Sequence, residues 1–124
     1  MSTIKANDLT NVSGGIPTVK SQQLIPTAWV NFNGTGTIAI RDSENVSSLT
    51  DDGVGDAVIN FATNMANTNF VTVAAASDPQ ISTTDNMAAS YEWSTSYVKI
   101  GINNNSGSLR DRAYINVIVM GGQS

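Results

Sequence analysis

Ala113-Tyr114-Ile115-Asn116-Val117-Ile118-Val119-Met120, near the end of the 124-residue chain, is built of residues that suit a pleated strand. A period of two sets Ile115, Val117 and Val119 on one face and Tyr114, Asn116, Ile118 and Met120 on the other. β-Branched side chains are stiff at χ1 and fit a pleated surface, so one face of this strand is built for a core. The other still carries Ile118 and Met120.

The same bias runs outward through the chain, which holds 11 Ile and 11 Val against 4 Leu, and only two Glu, Glu44 and Glu92. Helices favour Leu and Glu, so this is a β composition. Val30 and Phe32 alternate with Trp29 and Asn31, and Ala57, Ile59 and Phe61 share a face. Phe70-Val71-Thr72-Val73-Ala74 and Val98-Lys99-Ile100-Gly101-Ile102 are further short runs, bounded by Gly, Asn, Asp or Ser. Trp29 and Phe32 lead a strand and read as structural.

Turn residues separate the runs. Asn33-Gly34-Thr35-Gly36 is a hairpin signal, since Asn-Gly readily takes φ > 0. Asp51-Asp52-Gly53-Val54-Gly55-Asp56 and Asn103-Asn104-Asn105-Ser106-Gly107-Ser108 are the next turns. Strands are predicted near 27–33, 36–42, 44–50, 56–62, 69–76, 90–94, 96–102 and 113–120. The predicted fold is all-β: an antiparallel β-sandwich of seven or eight strands over residues 27–124, behind an extended N-terminal arm, residues 1–26.

The arm differs in kind. It is polar, holds Pro17 and Pro26, and scatters Ile4, Leu9, Val12, Ile16, Val19, Leu24 and Ile25 without a single period. Seven large aliphatics are many for a free tail. Ile4, Leu9, Val12, Ile16 and Val19 are therefore candidates for docking against another subunit or a scaffold.

Composition excludes much chemistry. The chain has no His and no Cys, which removes Ser-His-Asp and Cys-His catalysis, thiol redox chemistry, disulfides, and zinc or haem sites built on those ligands. Ser (14), Asn (14), Thr (13) and Gly (10) supply the polarity, while charged residues are only 13% and the net charge is -4. An acidic chain is poorly suited to neutralising phosphates, so no nucleic-acid partner is expected. The opening Met1 to Thr10 lacks the apolar core of a signal peptide, and no run approaches a membrane-spanning length, so neither secretion nor membrane insertion is expected.

The remaining motifs carry little chemistry. Asp51, Asp52 and Asp56 crowd one glycine-containing loop, but the ligand spacing of an EF-hand is missing, and a solvated turn explains them. Asp42, Glu44, Asp85 and Glu92 could supply a glycosidase pair, yet nothing in their spacing selects two of them. Gly34-Thr35-Gly36 and Gly53-Val54-Gly55 lack the third glycine of a dinucleotide fingerprint. Arg110-Asp111-Arg112 reads as a solvated turn with a weak local ion pair. Sequons at Asn11, Asn33, Asn45 and Asn104 are expected by chance in so Asn-, Ser- and Thr-rich a chain. No enzyme, catalytic residue, cofactor or metal is expected.

Aromatic residues are the exception. Tyr91, Trp93 and Tyr97 fall within seven positions, near Glu92 and Lys99, and alternation would set Tyr91 and Trp93, with Tyr97, on one hairpin face. Such rings either fill the core or form an exposed ladder able to stack on sugars.

The middle of the chain has a familiar pattern. Ala28 to Ser43 (Ala-Trp-Val-Asn-Phe-Asn-Gly-Thr-Gly-Thr-Ile-Ala-Ile-Arg-Asp-Ser), then Asn45 to Asp56 and Ile59-Asn60-Phe61, resembles a module of tail-fibre and other structural proteins of tailed bacteriophages, common in phages of marine bacteria and cyanobacteria. The close match covers about a quarter of the chain, from Trp29 to Phe61, with looser similarity in the Met1–Lys5 opening, Gly14 to Pro17 and Val117 to Gly121. Glu44 stands where the module usually has Phe, and Ala57-Val58 where it has Tyr-Thr, so bulk is trimmed from the motif.

The resemblance implies a non-enzymatic virion structural protein, assembled in the host bacterial cytoplasm: a homotrimeric tail-fibre or fibre-like protein. Its arm would attach to other virion proteins and its β-domain would meet a host-surface glycan. Receptor contact would then use loops 77–97 and 103–112, through Tyr91, Trp93, Tyr97, Asn103, Asn104 and Asn105. A capsid decoration (cement) protein and a carbohydrate-binding module are the alternatives.

Overall fold

A computed structural model describes residues 2–19, 22–23, 25–79 and 86–123. Leu24 of the arm, Asp85 among the carboxylates and residues 80–85 of the expected receptor loop lie outside the described residues.

Among the described residues ten strands follow in order: β1 (Thr18–Val19), β2 (Gln22–Gln23), β3 (Ala28–Asn33), β4 (Ala39–Glu44), β5 (Val46–Gly53), β6 (Asp56–Phe61), β7 (Phe70–Ser77), β8 (Met87–Trp93), β9 (Tyr97–Asn103) and β10 (Tyr114–Gly121). β1 and β2 form a minimal hairpin in the arm. The other eight build two four-stranded sheets, ordered β4-β3-β10-β7 and β5-β6-β9-β8, with every pairing antiparallel. Among the described residues there is no helix long and apolar enough to cross a membrane. The all-β sandwich expected from the strand pattern is what the chain forms.

The core is the single layer between the sheets. Ala28, Val30 and Phe32 of β3 and Ile115, Val117 and Val119 of β10 meet Ala57, Ile59 and Phe61 of β6 and Val98, Ile100 and Ile102 of β9. Each of these four strands sits in the middle of its sheet, so each offers one whole face. Met65 and Phe70 close one end, with Phe61 and Phe70 edge to face at 5.8 Å. At the β7–β8 rim the inner residues are small (Thr72, Ala74, Ala76, Ala88, Ser90), and the Thr72 and Ser90 hydroxyls meet at 2.5 Å.

Strand ends differ from expectation where side chains intervene. β4 starts at Ala39 because Asn33 Oδ1 accepts from the Thr35 N–H and hydroxyl, holding Thr35 in the turn. The positive φ of that loop falls on Gly36 (φ 61) and not on the Asn-Gly pair. β5 extends into the aspartate loop through a register shift between Asp51 and Gly53. β8 starts early because Met87, Ala88 and Ala89 pair with Asn103, Ile102 and Gly101.

Asn45 carries the chain from one sheet to the other. It takes φ 54, a left-handed conformation that Asn tolerates better than most residues. Its amide donates to the Thr27 and Thr63 carbonyls, both at 3.2 Å, and its Oδ1 accepts from the Thr63 N–H at 2.7 Å.

Arg110-Asp111-Arg112 is a solvated turn only in part: Arg110 and Asp111 are exposed, and Arg112 is not. Arg112 is buried, and its guanidinium lies 3.2 Å from Asp78 Oδ2, while Asp78 Oδ1 accepts from the Ala113 N–H. Asp111 Oδ1 accepts from the Gly55 N–H at 2.8 Å, joining this segment to the β5–β6 turn. Asp78 and Gly55, both distant in sequence, tie the segment into the sandwich, which local charge density does not reveal.

The arm is fixed at its root. Gln23 donates to Thr27 Oγ1 at 3.0 Å and accepts from the Gly121 N–H at 3.2 Å, and the Thr27 hydroxyl donates to the Gly121 carbonyl at 2.8 Å. Upstream, Asn11 organises a turn, its Oδ1 accepting from Ser13 and Gly15 N–H groups. Ser2–Thr10 has neither strand nor helix, and Ile4, Leu9 and Val12 are exposed; Ile16 is half-buried, and Val19 is described by its backbone in β1.

Two predictions follow from this packing. A Cβ on Gly55 (φ +65) would stand 2.4 Å from the Ile102 carbonyl oxygen and 2.6 Å from the Arg110 nitrogen, whereas Gly36 (φ +61) faces open space. Gly36→Ala is therefore expected to cost about 1 kcal/mol in denaturant unfolding and Gly55→Ala several times that, since backbone must move; equal costs would contradict the geometry. Asp78→Ala removes the carboxylate 3.2 Å from the buried Arg112 guanidinium and is expected to cost about 3 kcal/mol.

Candidate functional site

The two sheets turn very different outer faces to solvent. On β5-β6-β9-β8, Lys99 projects outward between the core residues Val98 and Ile100. Its ammonium lies 3.2 Å from Asp52 on β5 and 3.6 Å from Glu92 on β8. Tyr97 donates to Glu92 at 2.6 Å, Tyr91 donates to Asp56 at 2.5 Å, and Asn60 donates to Ser48 and Thr50 hydroxyls across β5. Val58, opposite Lys99 and Thr50 on this face, is nevertheless buried, because long polar neighbours lay their stems over it.

A register shift in β8 sets the aromatic geometry. Ser90 pairs with Ile100 and Glu92 with Lys99, so Tyr91 is an extra residue and both Tyr91 and Glu92 face outward. Trp93 then pairs with the core residue Val98 and leaves on the other side of the strand, at the rim, where it is 47% exposed. The expected ladder of Tyr91, Trp93 and Tyr97 on one face therefore does not form: the two tyrosines share a face and Trp93 does not. Trp29 likewise leaves the core, half-buried on the outer face of β3, while Phe32 is fully buried.

The asparagines also divide. Asn104 is buried, its Oδ1 accepting from the Ser106 and Ser108 N–H groups at 3.1 and 2.9 Å, so it shapes its loop and is not open to a ligand. Asn103 is half-buried at the end of β9, bridged to Leu109, and Asn105 is exposed.

Hydrogen bonding shifts the titrations here. The bond to Asp56, aided by burial and by the Asp56 charge, pushes the Tyr91 phenol up to about 12. The bond to Glu92 raises Tyr97, and the bond to Asp52 raises Lys99 against the opposing effect of desolvation. The carboxylates are thus engaged singly: Asp51 Oδ1 accepts from the Gly53 N–H at 3.0 Å, Asp52 meets Lys99 and Asp56 meets Tyr91. Among the described residues no three metal-capable side chains gather. Asp42 and Glu44 lie on β4, in the opposite sheet from Glu92, so these carboxylates do not face one cleft.

The outer face of β4-β3-β10-β7 is apolar at one end. Ile118 stands between Val73 and Trp29, and Met120 is opposite Val71, with Val71, Val73 and Ile118 at 63%, 67% and 46% exposure. The other end is polar: Asn31 donates to Asn116, and the Arg41 guanidinium sits 4.2 Å from the Tyr114 ring centroid. Beside Trp29, a groove of about 760 Å³ separates arm from sandwich, lined among others by Leu9, Ile16, Ile25 and Glu44.

Comparison with protein-family models, curated proteins and solved structures finds no match to this chain.

The clustering of aromatic residues drew attention to Tyr91, with Glu92 and Lys99 noted beside it. What sequence reasoning missed is that Asp52, Asp56 and Glu92 converge on them, because strand order is not written locally. A raised tyrosine is protonated more readily folded than unfolded, so its contribution is complete below pH 10 and lost as pH rises toward about 12. Tyrosinate absorbance should show late-titrating phenols, of which Asp56→Asn moves Tyr91 alone down toward 10.0, and Tyr91→Phe should reduce the alkaline loss of stability. Titration of Tyr91 unaffected by Asp56→Asn would contradict the bond.

Proposed function

We propose that this chain is a structural protein of a tailed-bacteriophage virion, a homotrimeric fibre-like protein. Its arm attaches to the particle and its sandwich displays a host-facing surface. The observation that carries the reading is the apolar end of the β4-β3-β10-β7 face. Isolated exposed aliphatics are ordinary, but Val71, Val73, Ile118, Met120 and Trp29 are neighbours by register across three strands. A patch of this kind on a small domain is best covered by copies of itself around a symmetry axis. Resemblance of Trp29 to Phe61 to the phage module supplies the virion context and the three-fold symmetry.

The arm supports the same reading. Ile4, Leu9 and Val12 stay exposed while Gln23 and Thr27 hold the root, as suits a segment that orders on a larger scaffold. A capsid decoration protein would use the same arm and face, and antibody labelling of particles separates head from tail.

Light scattering on the eluted protein should give roughly three times the 13.0 kDa chain mass. Ile118→Lys should return a single-chain mass with the far-UV spectrum unchanged. A wild-type monomer at high concentration would overturn the assembly.

A further inference from the structure

We propose that Tyr91 is a stacking platform for a neutral pyranose, which names the ligand class of the host-facing surface and rests on the reading above. Tyr91 springs from β8, yet its hydroxyl reaches Asp56 on β6, with β9 between them. Strands are about 4.8 Å apart, so the side chain must recline across β9 to make that bond. It can do so because Gly101 lies beneath it: a Cβ there would sit 3.6 and 3.7 Å from ring carbons Cδ1 and Cε1. One side of the ring is therefore against the sheet and the other is open, leaving the residue 47% exposed.

A ring held this way is already ordered. Bulge, glycine and phenol hydrogen bond fix it before any ligand arrives, so little rotamer freedom is lost on binding. The C–H face of a pyranose suits an aromatic face, while sugar hydroxyls need acceptors around it. Asp52, Asp56 and Glu92 supply carboxylate oxygens, and Lys99 and Asn60 supply donors. Three carboxylates against one ammonium repel uronate, sialate and phosphate groups, so the chemistry selects an uncharged sugar. The platform lies on the opposite sheet from the Val73–Ile118 patch and stays open when that patch is covered.

Amide chemical-shift titration of the full chain with maltohexaose, cellohexaose and chitohexaose, and with polygalacturonate as the acidic control, tests this. At least one neutral oligosaccharide should move the amides of Tyr91, Lys99 and Gly101, with millimolar affinity. Tyr91→Ala should weaken it roughly tenfold, the size of one aromatic contact. Gly101→Val keeps the tyrosine but lifts the ring, and should weaken binding as much. The proposal is overturned if no neutral sugar moves these amides, if the shifts map to Trp93 or Asn105 instead, or if polygalacturonate binds equally well. Scoring the native chain by titration and by light scattering together separates the two readings: a monomer that binds a neutral sugar sinks only the trimer, and a trimer that binds none sinks only the platform.

Discussion

A sandwich one apolar layer thick can cover only one face of each sheet, and everything else in this protein follows from that. Twelve inward side chains from β3, β10, β6 and β9 form the layer, three from each strand. β10 holds the arrangement together, because it lies between β3 and β7 and places the late strand beside the early one. Burial of β-branched side chains contributes on the order of 1.5–3 kcal/mol each, which outweighs any single polar contact on the surface. Charge plays a lesser part, and the exception is Arg112 with Asp78, where removing one partner would leave a buried cation.

The outer faces are where the molecule has choices. One was resolved internally: Lys99, Tyr91 and Tyr97 satisfy the aspartates and glutamate around them and shield Val58. The other was not, since Val71, Val73 and Ile118 stay 63%, 67% and 46% exposed. That asymmetry gives the sheets separate roles in the proposed assembly, one turned toward copies of the chain and one toward an external surface.

Eight core strands and the turns between them could be read from alternation and from Gly, Asn and Asp, because both are local properties. The outward position of Ile118 was equally plain from period two. Strand order was not, as it depends on which non-local pairings bury most, and so the gathering of Asp52, Asp56 and Glu92 on Lys99 and two tyrosines stayed hidden. The β8 shift defeated simple alternation: one extra residue moved Trp93 to the other side of the strand. Arg112 misled for a similar reason, since its partner Asp78 is 34 positions away in the sequence. Asn104 looked available only because its loop-shaping role depends on Ser106 and Ser108 folding back to it.

Hydroxyl-radical footprinting of the native protein beside Ile118→Lys would read directly which outer face is covered. Slow oxidation of Trp29 and Met120 in the native chain, quick oxidation of both in the variant, and equal, fast oxidation of Tyr91 in each is the predicted pattern. Trp29 and Met120 reacting alike in both proteins, with Tyr91 protected, would contradict the division of labour between the sheets.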